Sequence, residues 1–537
     1  MSQITIEEYA WGRFILICKP EQSGKTFVMI QLINKDLHDS SNKKRVINFI
    51  FCDNSLLLTK QTSERVSRDV LPYTNETYVE FSSRNDGTAQ RNKADVFTKI
   101  VTRKTNNIIC CTNGTRVSDI SKIISDLNSV PEFDFEFKIW LDECDKFTKF
   151  ISKTFLPLAV EHKNVHVYCL TATPKTLFDK YRYMNVHPLH QTTRPDYHGW
   201  QDNNLVIVEN SINTTEGFIH EILSGSHCPD LVPGSKWYIP ADRKKISHSL
   251  VRDILLGKGF AVFIVNGDGL SLTLPGGQGE WIEDKNEELN KQMLKMYKKY
   301  NVVRFPVAVT GNICVGRGIS IMSPDFMFDY GILSNCAKKS EASQNAGRLK
   351  GNIKGWNGYK KPTVFTTEKF NLVATDLEEK SRRLAILAFE KHEAGENTIV
   401  TKTELNTLNE NHKFIKHPEL FPTMKAVREF FAQEKIYKTC MRLDKPPKPQ
   451  CINKKLRYGE KMAGYAISTK LLNNGQTAND LTANDRITVE KSKEIGEGRC
   501  ISTTKKGSRF LVLPVYINMD TPADQEKYEV RYLSYNK

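Results

Sequence analysis

Phe14-Ile15-Leu16-Ile17-Cys18, then Lys19-Pro20-Glu21-Gln22-Ser23-Gly24-Lys25-Thr26, then the helix-like run Phe27 to Lys35, is the stretch whose reading decides the fold. An apolar strand that ends in Gly-Lys-Thr and runs straight into a helix aims three things at one point: backbone N–H groups, the positive end of the helix and an ammonium. Such a point suits a phosphate, and Gln22, Ser23, Gly24, Lys25 and Thr26 are its candidate residues. The phosphate-loop pattern wants Gly at its first position, where Lys19 stands, followed by Pro20.

Around this stretch lie 537 residues, enough for three or four domains that each bury a core. Hydrophobic content of 39% and charged content of 26% are ordinary for globular protein. No apolar run approaches the roughly 18 residues of a membrane span, and Met1 to Trp11 is too acidic for a signal peptide. An intracellular, soluble protein with no membrane partner is the expectation. The 12 cysteines include no Cys-x-x-Cys pair, so buried reduced thiols are expected and not a zinc site. The net charge of +15 points to a polyanionic partner.

Further along, Val46 to Cys52 and Asn107 to Thr112 read as apolar strands separated by helix-length segments. That alternation predicts a doubly wound parallel sheet with ligands at the carboxyl ends of its strands. Two loops at those ends are polar: Asp53-Asn54-Ser55 leading to Gln61-Thr62, and Thr112-Asn113-Gly114-Thr115-Arg116. Such residues either cap the helices that follow or grip a phosphodiester backbone, whose oxygens take donors without regard to base.

The next strand, Phe137 to Leu141, ends in Asp142-Glu143-Cys144-Asp145. Two adjacent carboxylates at the mouth of a buried strand are costly unless a cation or a reaction uses them. Beside a phosphate loop, Asp142 would hold Mg²⁺ together with the Thr26 hydroxyl, and Glu143 would orient and deprotonate an attacking water.

The strand Val165 to Leu170 closes in Thr171-Ala172-Thr173-Pro174. In this order Gly24-Lys25-Thr26, Asp142-Glu143-Cys144-Asp145 and Thr171-Ala172-Thr173 resemble motifs I, II and III of the superfamily 2 helicases, whose second motif is DExD/H. Thr192 to Asn204 reads as a hinge. A second run of strands and helices follows, with Trp237 to Pro240, a helix across Lys244 to Leu256, Ala261 to Val265, and a turn at Gly276-Gly277-Gln278-Gly279. Then Thr310-Gly311 with Gly316-Arg317-Gly318-Ile319-Ser320, and Gln344-Asn345-Ala346-Gly347-Arg348-Leu349-Lys350-Gly351, resemble motifs V and VI.

The resemblance covers roughly residues 10 to 370 and implies two tandem RecA-like α/β domains, 1–195 and 196–370, with ATP and Mg²⁺ between them. It adds Gly318, Gln344 and Arg348 to the nucleotide ligands, Arg348 being the arginine finger. It assigns Asn54, Gln61, Thr112, Arg116, Thr171, Thr173, Thr310 and Arg317 to nucleic-acid contact or to its coupling with hydrolysis. Where the family pattern ends motif VI with a second arginine, Gly351 stands here, leaving Lys350 as a less directional helper. The motif spellings resemble helicases of large DNA viruses or phages more than cellular DEAD-box proteins.

From Asn371 the character changes. Asp376 to Glu393 is a charged helix with Leu377, Leu384, Leu387 and Ala388 on one side, in a helical extension of 371–440. Lys435 to Lys461 carries nine Lys or Arg against two acids, with Pro446, Pro447 and Pro449; its 441–461 part reads as a basic linker lying along nucleic acid. Residues 462–537 look β-rich, with strand candidates Arg509 to Ile517 and Tyr528 to Tyr535. The implied activity is an ATP-dependent helicase or translocase with a nucleic-acid partner, DNA before RNA. Its rivals are a double-stranded DNA translocase that separates no strands, and a nucleic-acid-binding protein with a decayed motor, suggested by Lys19 and Gly351.

Overall fold

The structure, a computed structural model, describes residues 12–38, 44–53, 56–70, 78–83, 89–181, 183–208, 214–266, 269–282, 289–311, 321–334, 339–408, 412–433, 488–489, 492, 510–518, 520–522 and 525–535. Asn54, Arg317, Gly318 and the basic linker 441–461 lie outside the described residues. The chain divides into two compact units, Met1–Pro174 with Gln191–Arg382, and Lys175–His190 with Arg383–Lys537.

The first lobe of the first unit runs β1 (Phe14–Cys18), α1 (Lys25–His38), β2 (Arg45–Cys52), α2 (Leu56–Asp69), β3 (Tyr78–Phe81), α3 (Lys93–Val101), β4 (Asn107–Cys111), α4 (Gly114–Asn128), β5 (Phe135–Leu141) and β6 (Val165–Thr171). These strands lie side by side in the order β1-β6-β5-β2-β4-β3, every pair parallel. A parallel strand is covered on both faces and so reads as a continuous apolar run. The one polar side chain inside β2, Asn48, is fully buried and bonded on both sides. It accepts from Trp140 Nε1 at 2.9 Å and donates to Asn107 Oδ1 at 3.1 Å. On one face α1 and α2 pack together, Met29, Ile30 and Ile33 with Val66 and Val70, against Ile17, Ile50, Ile109, Trp140 and Leu170.

The second lobe holds β7 (Asn204–Ile207), α5 (Thr215–Ser224), β8 (Lys236–Tyr238), α6 (Lys245–Gly257), β9 (Ala261–Asn266), β10 (Gly269–Thr273), β11 (Gly279–Ile282), α7 (Leu289–Lys299), β12 (Val307–Gly311), β13 (Tyr330–Leu333), α8 (Lys339–Ala346), β14 (Thr363–Thr366) and the start of α9 (Glu368–Glu393). Its eight-stranded sheet has the order β11-β10-β9-β12-β8-β13-β14-β7. The strands from β9 to β7 pair in parallel, and β10 and β11 add an antiparallel hairpin at the edge. Successive residues of these strands go to opposite faces. Trp237, Val262, Ala308, Ile332 and Phe365 enter one apolar layer, and Tyr238, Phe263, Val309, Leu333 and Val364 the other. Both lobes are therefore parallel-rich α/β sheets, the tandem RecA-like arrangement that the sequence predicts. The stretch read as a hinge carries structure of its own, since Tyr197–His198 pairs antiparallel with Gly351–Asn352.

In the second unit Tyr183–Val186 pairs antiparallel with Ile399–Thr401. A three-stranded antiparallel sheet joins β15 (His412–Lys416), β16 (Phe510–Val515) and β17 (Lys527–Tyr535) in the order β15-β17-β16, beside α10 (Met424–Gln433). The two C-terminal strands fall where the sequence suggests them. Their companion β15 comes from a segment read as helical, and β17 supplies the partner that its local pattern does not announce. No helix among the described residues is long and apolar enough to cross a membrane.

Candidate active site

The turn after β1 is closed by Ser23, whose Oγ donates to the Pro20 carbonyl at 2.8 Å. Gln22 and Gly24 take φ of 56° and 92° there, a region that glycine enters freely and a side chain only at a cost. Helix α1 then starts at Lys25, with Val28 N donating to Gly24 O. The amides of Lys25, Thr26 and Phe27 have no acceptor one turn back within the helix, the usual state of a helix start. Lys25 itself is buried. Burial opposes its charge, but the carboxylates of Glu143, Glu21 and Asp142 outweigh that and raise its pKa. Lys19 shows the reverse: burial, with Lys25 and Arg194 adding repulsion, pushes it down to about 8.

Strand β5 delivers Asp142 and Glu143 to the same place. Glu143 sits in the left-handed region at φ 51° and ψ 43°, a conformation that costs a side-chain-bearing residue about 1–3 kcal/mol and collects at functional sites. Its amide donates to Asp142 Oδ1 at 3.1 Å. Burial first, and Glu143 second, push the Asp142 carboxyl up to about 6, with Lys25 and Arg65 pulling the other way. A crowded carboxylate beside a hydroxyl, Thr26, is a donor set that suits a hard divalent cation. Among the described residues no three His, Cys, Asp or Glu gather around one point, so a metal here would draw its remaining ligands from phosphate and water. Asp145, buried, accepts from Thr171 Oγ1 at 3.0 Å; Thr171 Oγ1 in turn accepts from Thr173 N at 2.9 Å, and the Thr171 carbonyl accepts from Lys19 N at 3.4 Å. These bonds tie the loops after β1, β5 and β6 together.

The second lobe closes the cavity. A space of about 260 Å³ is lined by Lys25, Thr26, Asp142 and Glu143 from the first lobe and Gln344 and Arg348 from the second. The close approach depends on glycine: a Cβ on Gly347 would lie 2.9 Å from Glu21 Cβ. Gly351, at φ 142°, would bring a Cβ to 3.3 Å from Gln22 Cβ. A side chain at that position would meet a strained backbone angle and crowd Gln22.

Lys350, expected as a helper toward the phosphates, is fully buried between Glu21 at 3.0 Å and Glu378 at 2.9 Å. Burial works against its charge, yet the two carboxylates hold its pKa well above the ordinary lysine value. Glu21 also accepts from the Ser343 hydroxyl, and its backbone carbonyl accepts from Tyr197 OH at 3.1 Å. Removing the ammonium would strand two carboxylates, so Lys350→Ala is expected to cost about 3–5 kcal/mol. Equilibrium urea unfolding checks this; a loss under 1 kcal/mol would show that the cluster contributes little to the fold.

The remaining candidates fall in different surroundings. Thr171 and Thr173 belong to the network just described. The Thr112 hydroxyl donates inward to the Cys52 carbonyl at 2.5 Å. Asn113 caps α4 by accepting from Arg116 N at 3.0 Å, and the Arg116 guanidinium lies 4.0 Å above the Phe81 ring and donates to the Arg91 carbonyl at 2.9 Å. Gln61 is half-buried on α2. Thr310 is fully buried in β12, its hydroxyl without a hydrogen-bond partner among the described residues. The sequence reading missed Glu21, Arg65 and Asn352, all of which line the cavity. Glu21 stood inside the loop already singled out, while Arg65 carries no local signal at all.

No protein-family model matches the chain, and neither does any curated protein sequence. Among solved structures it aligns with a doubly truncated Mss116p bound to single-stranded RNA and AMP-PNP, at 12% identity and TM-score 0.37, over 81% of this chain and 80% of that one. It aligns also with the Mycobacterium smegmatis helicase Lhr bound to single-stranded DNA and AMP-PNP, at 11% identity and TM-score 0.35, over 98% of this chain and 57% of that one. A third alignment is with a DEAD box protein of the hyperthermophile Methanococcus jannaschii, at 14% identity and TM-score 0.32, over 68% and 85%. All three alignments lie between 11% and 14% identity.

Proposed function

We propose that the chain is a nucleoside-triphosphatase of the helicase type, hydrolysing ATP between its two RecA-like lobes and coupling that to movement along nucleic acid, DNA before RNA. One observation supports this reading most: Lys25, Thr26, Asp142 and Glu143 of one lobe line the same cavity as Gln344 and Arg348 of the other. In this reading Gln22 to Thr26 and the first amides of α1 bind the β- and γ-phosphates, with Lys25 neutralising their charge. Thr26 and Asp142 would hold Mg²⁺, which supplies charge neutralisation to the phosphates when bound. Glu143 orients a water and takes its proton, and Arg348 meets the charge that develops on the γ-phosphate. The bond that the Thr171 hydroxyl donates to Asp145 gives the catalytic loop a direct hold on the end of β6, a route by which hydrolysis can shift a strand held there.

The test is phosphate release from MgATP by the full chain, alone and with single-stranded DNA or RNA. The expected result is hydrolysis that rises on adding nucleic acid. Failure to release phosphate under every condition would reject the enzyme and favour the decayed motor. Hydrolysis stimulated by duplex without unwinding of a forked substrate would favour the double-stranded translocase.

A further inference from the structure

Arg65, on α2, reaches Thr26 Oγ1 with Nη1 at 3.4 Å and lines the cavity beside Asp142. Its position is set by the core, because the next residue, Val66, and Val70 pack with Met29, Ile30 and Ile33 of α1. The Asn34 side chain also donates to the Asp69 carbonyl at 3.1 Å, which fastens the end of α2 to α1. Arg68 on the same helix is paired in two-pronged fashion with Asp69, at 2.6 and 2.9 Å.

We propose that Arg65 is a cation built into the phosphate cleft that takes the place of the divalent ion while none is bound, holds nucleotide phosphates in the metal-free protein, and gives way to Mg²⁺. The proposal deepens the nucleotide reading above and rests on it. The charges around the cavity support it. The cavity lining carries Glu21, Asp69, Asp142 and Glu143 against Lys25, Arg65, Arg68 and Arg348. With Arg65 the two signs balance; without it the carboxylates are in excess, and an acidic cleft repels a polyanion. The planar fork of Arg65 also matches phosphate oxygens better than an ammonium would.

The same atom makes the competition with metal. Thr26 Oγ1 is the oxygen that Arg65 contacts and the oxygen a divalent ion would need. Two cations cannot share that oxygen and the adjacent Asp142 without mutual repulsion. Arg65 must therefore release Thr26 when Mg²⁺ enters, and its charge opposes that entry. Removing the charge should move two quantities in opposite directions.

The experiment uses the full chain and its Arg65→Gln variant, with a fluorescent ADP analogue as the probe. Affinity is measured in EDTA and then along a Mg²⁺ titration. The expected result is that the variant binds the probe about tenfold more weakly in EDTA, the scale of one lost charge-assisted hydrogen bond. It should also reach half of its Mg²⁺ effect at a several-fold lower Mg²⁺ concentration. Unchanged metal-free affinity would overturn the proposal, and so would a loss by one common factor with and without Mg²⁺, which is what simple damage to the helix would give. Wild-type protein that binds no probe even with Mg²⁺ would overturn the nucleotide reading along with it.

Discussion

Arg348→Ala is expected to lower the rate of nucleotide hydrolysis by about 10³ or more while changing nucleotide affinity far less. The side chain is buried, 4% exposed, on the wall of the cavity that faces Lys25 and Glu143. Burial lowers its pKa, with Tyr238, Glu143 and Glu21 acting in the opposite direction; a guanidinium remains charged under such pressure. A fixed cation in a site shielded from water acts on charge that appears only as the reaction proceeds, and so affects the rate and not ground-state binding. Lys350 offers no substitute, since both of its carboxylate partners hold it away from that task. Single-turnover hydrolysis, set beside the affinity for a non-hydrolysable analogue, measures the split. Near-normal turnover would remove Arg348 from the transition state, and a parallel collapse of affinity would make it a binding residue.

A comparable effect on turnover is expected for Glu143→Gln, here with nucleotide binding retained, whereas Lys25→Ala should abolish binding itself. Glu143 is held in a left-handed conformation with its amide bonded to Asp142, a posture that a glutamine can keep while losing the ability to accept a proton. General base catalysis contributes about 10²–10⁴ in rate, and that range is the expected loss. Lys25 acts earlier. Its ammonium is already matched by Glu143, Glu21 and Asp142, and without it the cavity holds one cation fewer against those carboxylates and the incoming phosphates. Equilibrium binding and phosphate release, measured on both variants, separate the two roles. Equal loss of binding in both would sink the assignment.

Much of this molecule was legible from local sequence, and the reason is that its information is local. A strand, a loop with Gly24, and a helix starting at Lys25 are contiguous, and hydrophobic runs such as Val46 to Cys52 announce buried parallel strands wherever they stand. Asp142 and Glu143 follow their strand directly, so their place at a carboxyl end could be read without knowing the neighbours. The order of short motifs then carried the expectation of a second lobe bearing Arg348.

What only the tertiary structure decided are the contacts between residues far apart in the chain. Lys350 and Glu21 are separated by 329 positions, and Arg65 and Thr26 by 39; neither pair has a spacing that helix or strand periodicity could reveal. Burial also turned surface-like residues inward, as with Arg116 over Phe81 and Glu529 with Arg531 inside the small sheet. A charged residue reads as solvated in sequence because burying it alone is prohibitive, and only the fold supplies the partner that lifts that penalty. Strand β15 is the same lesson for the backbone: its hydrogen bonds are completed by β17, more than a hundred residues later, and nothing in its five residues names that partner.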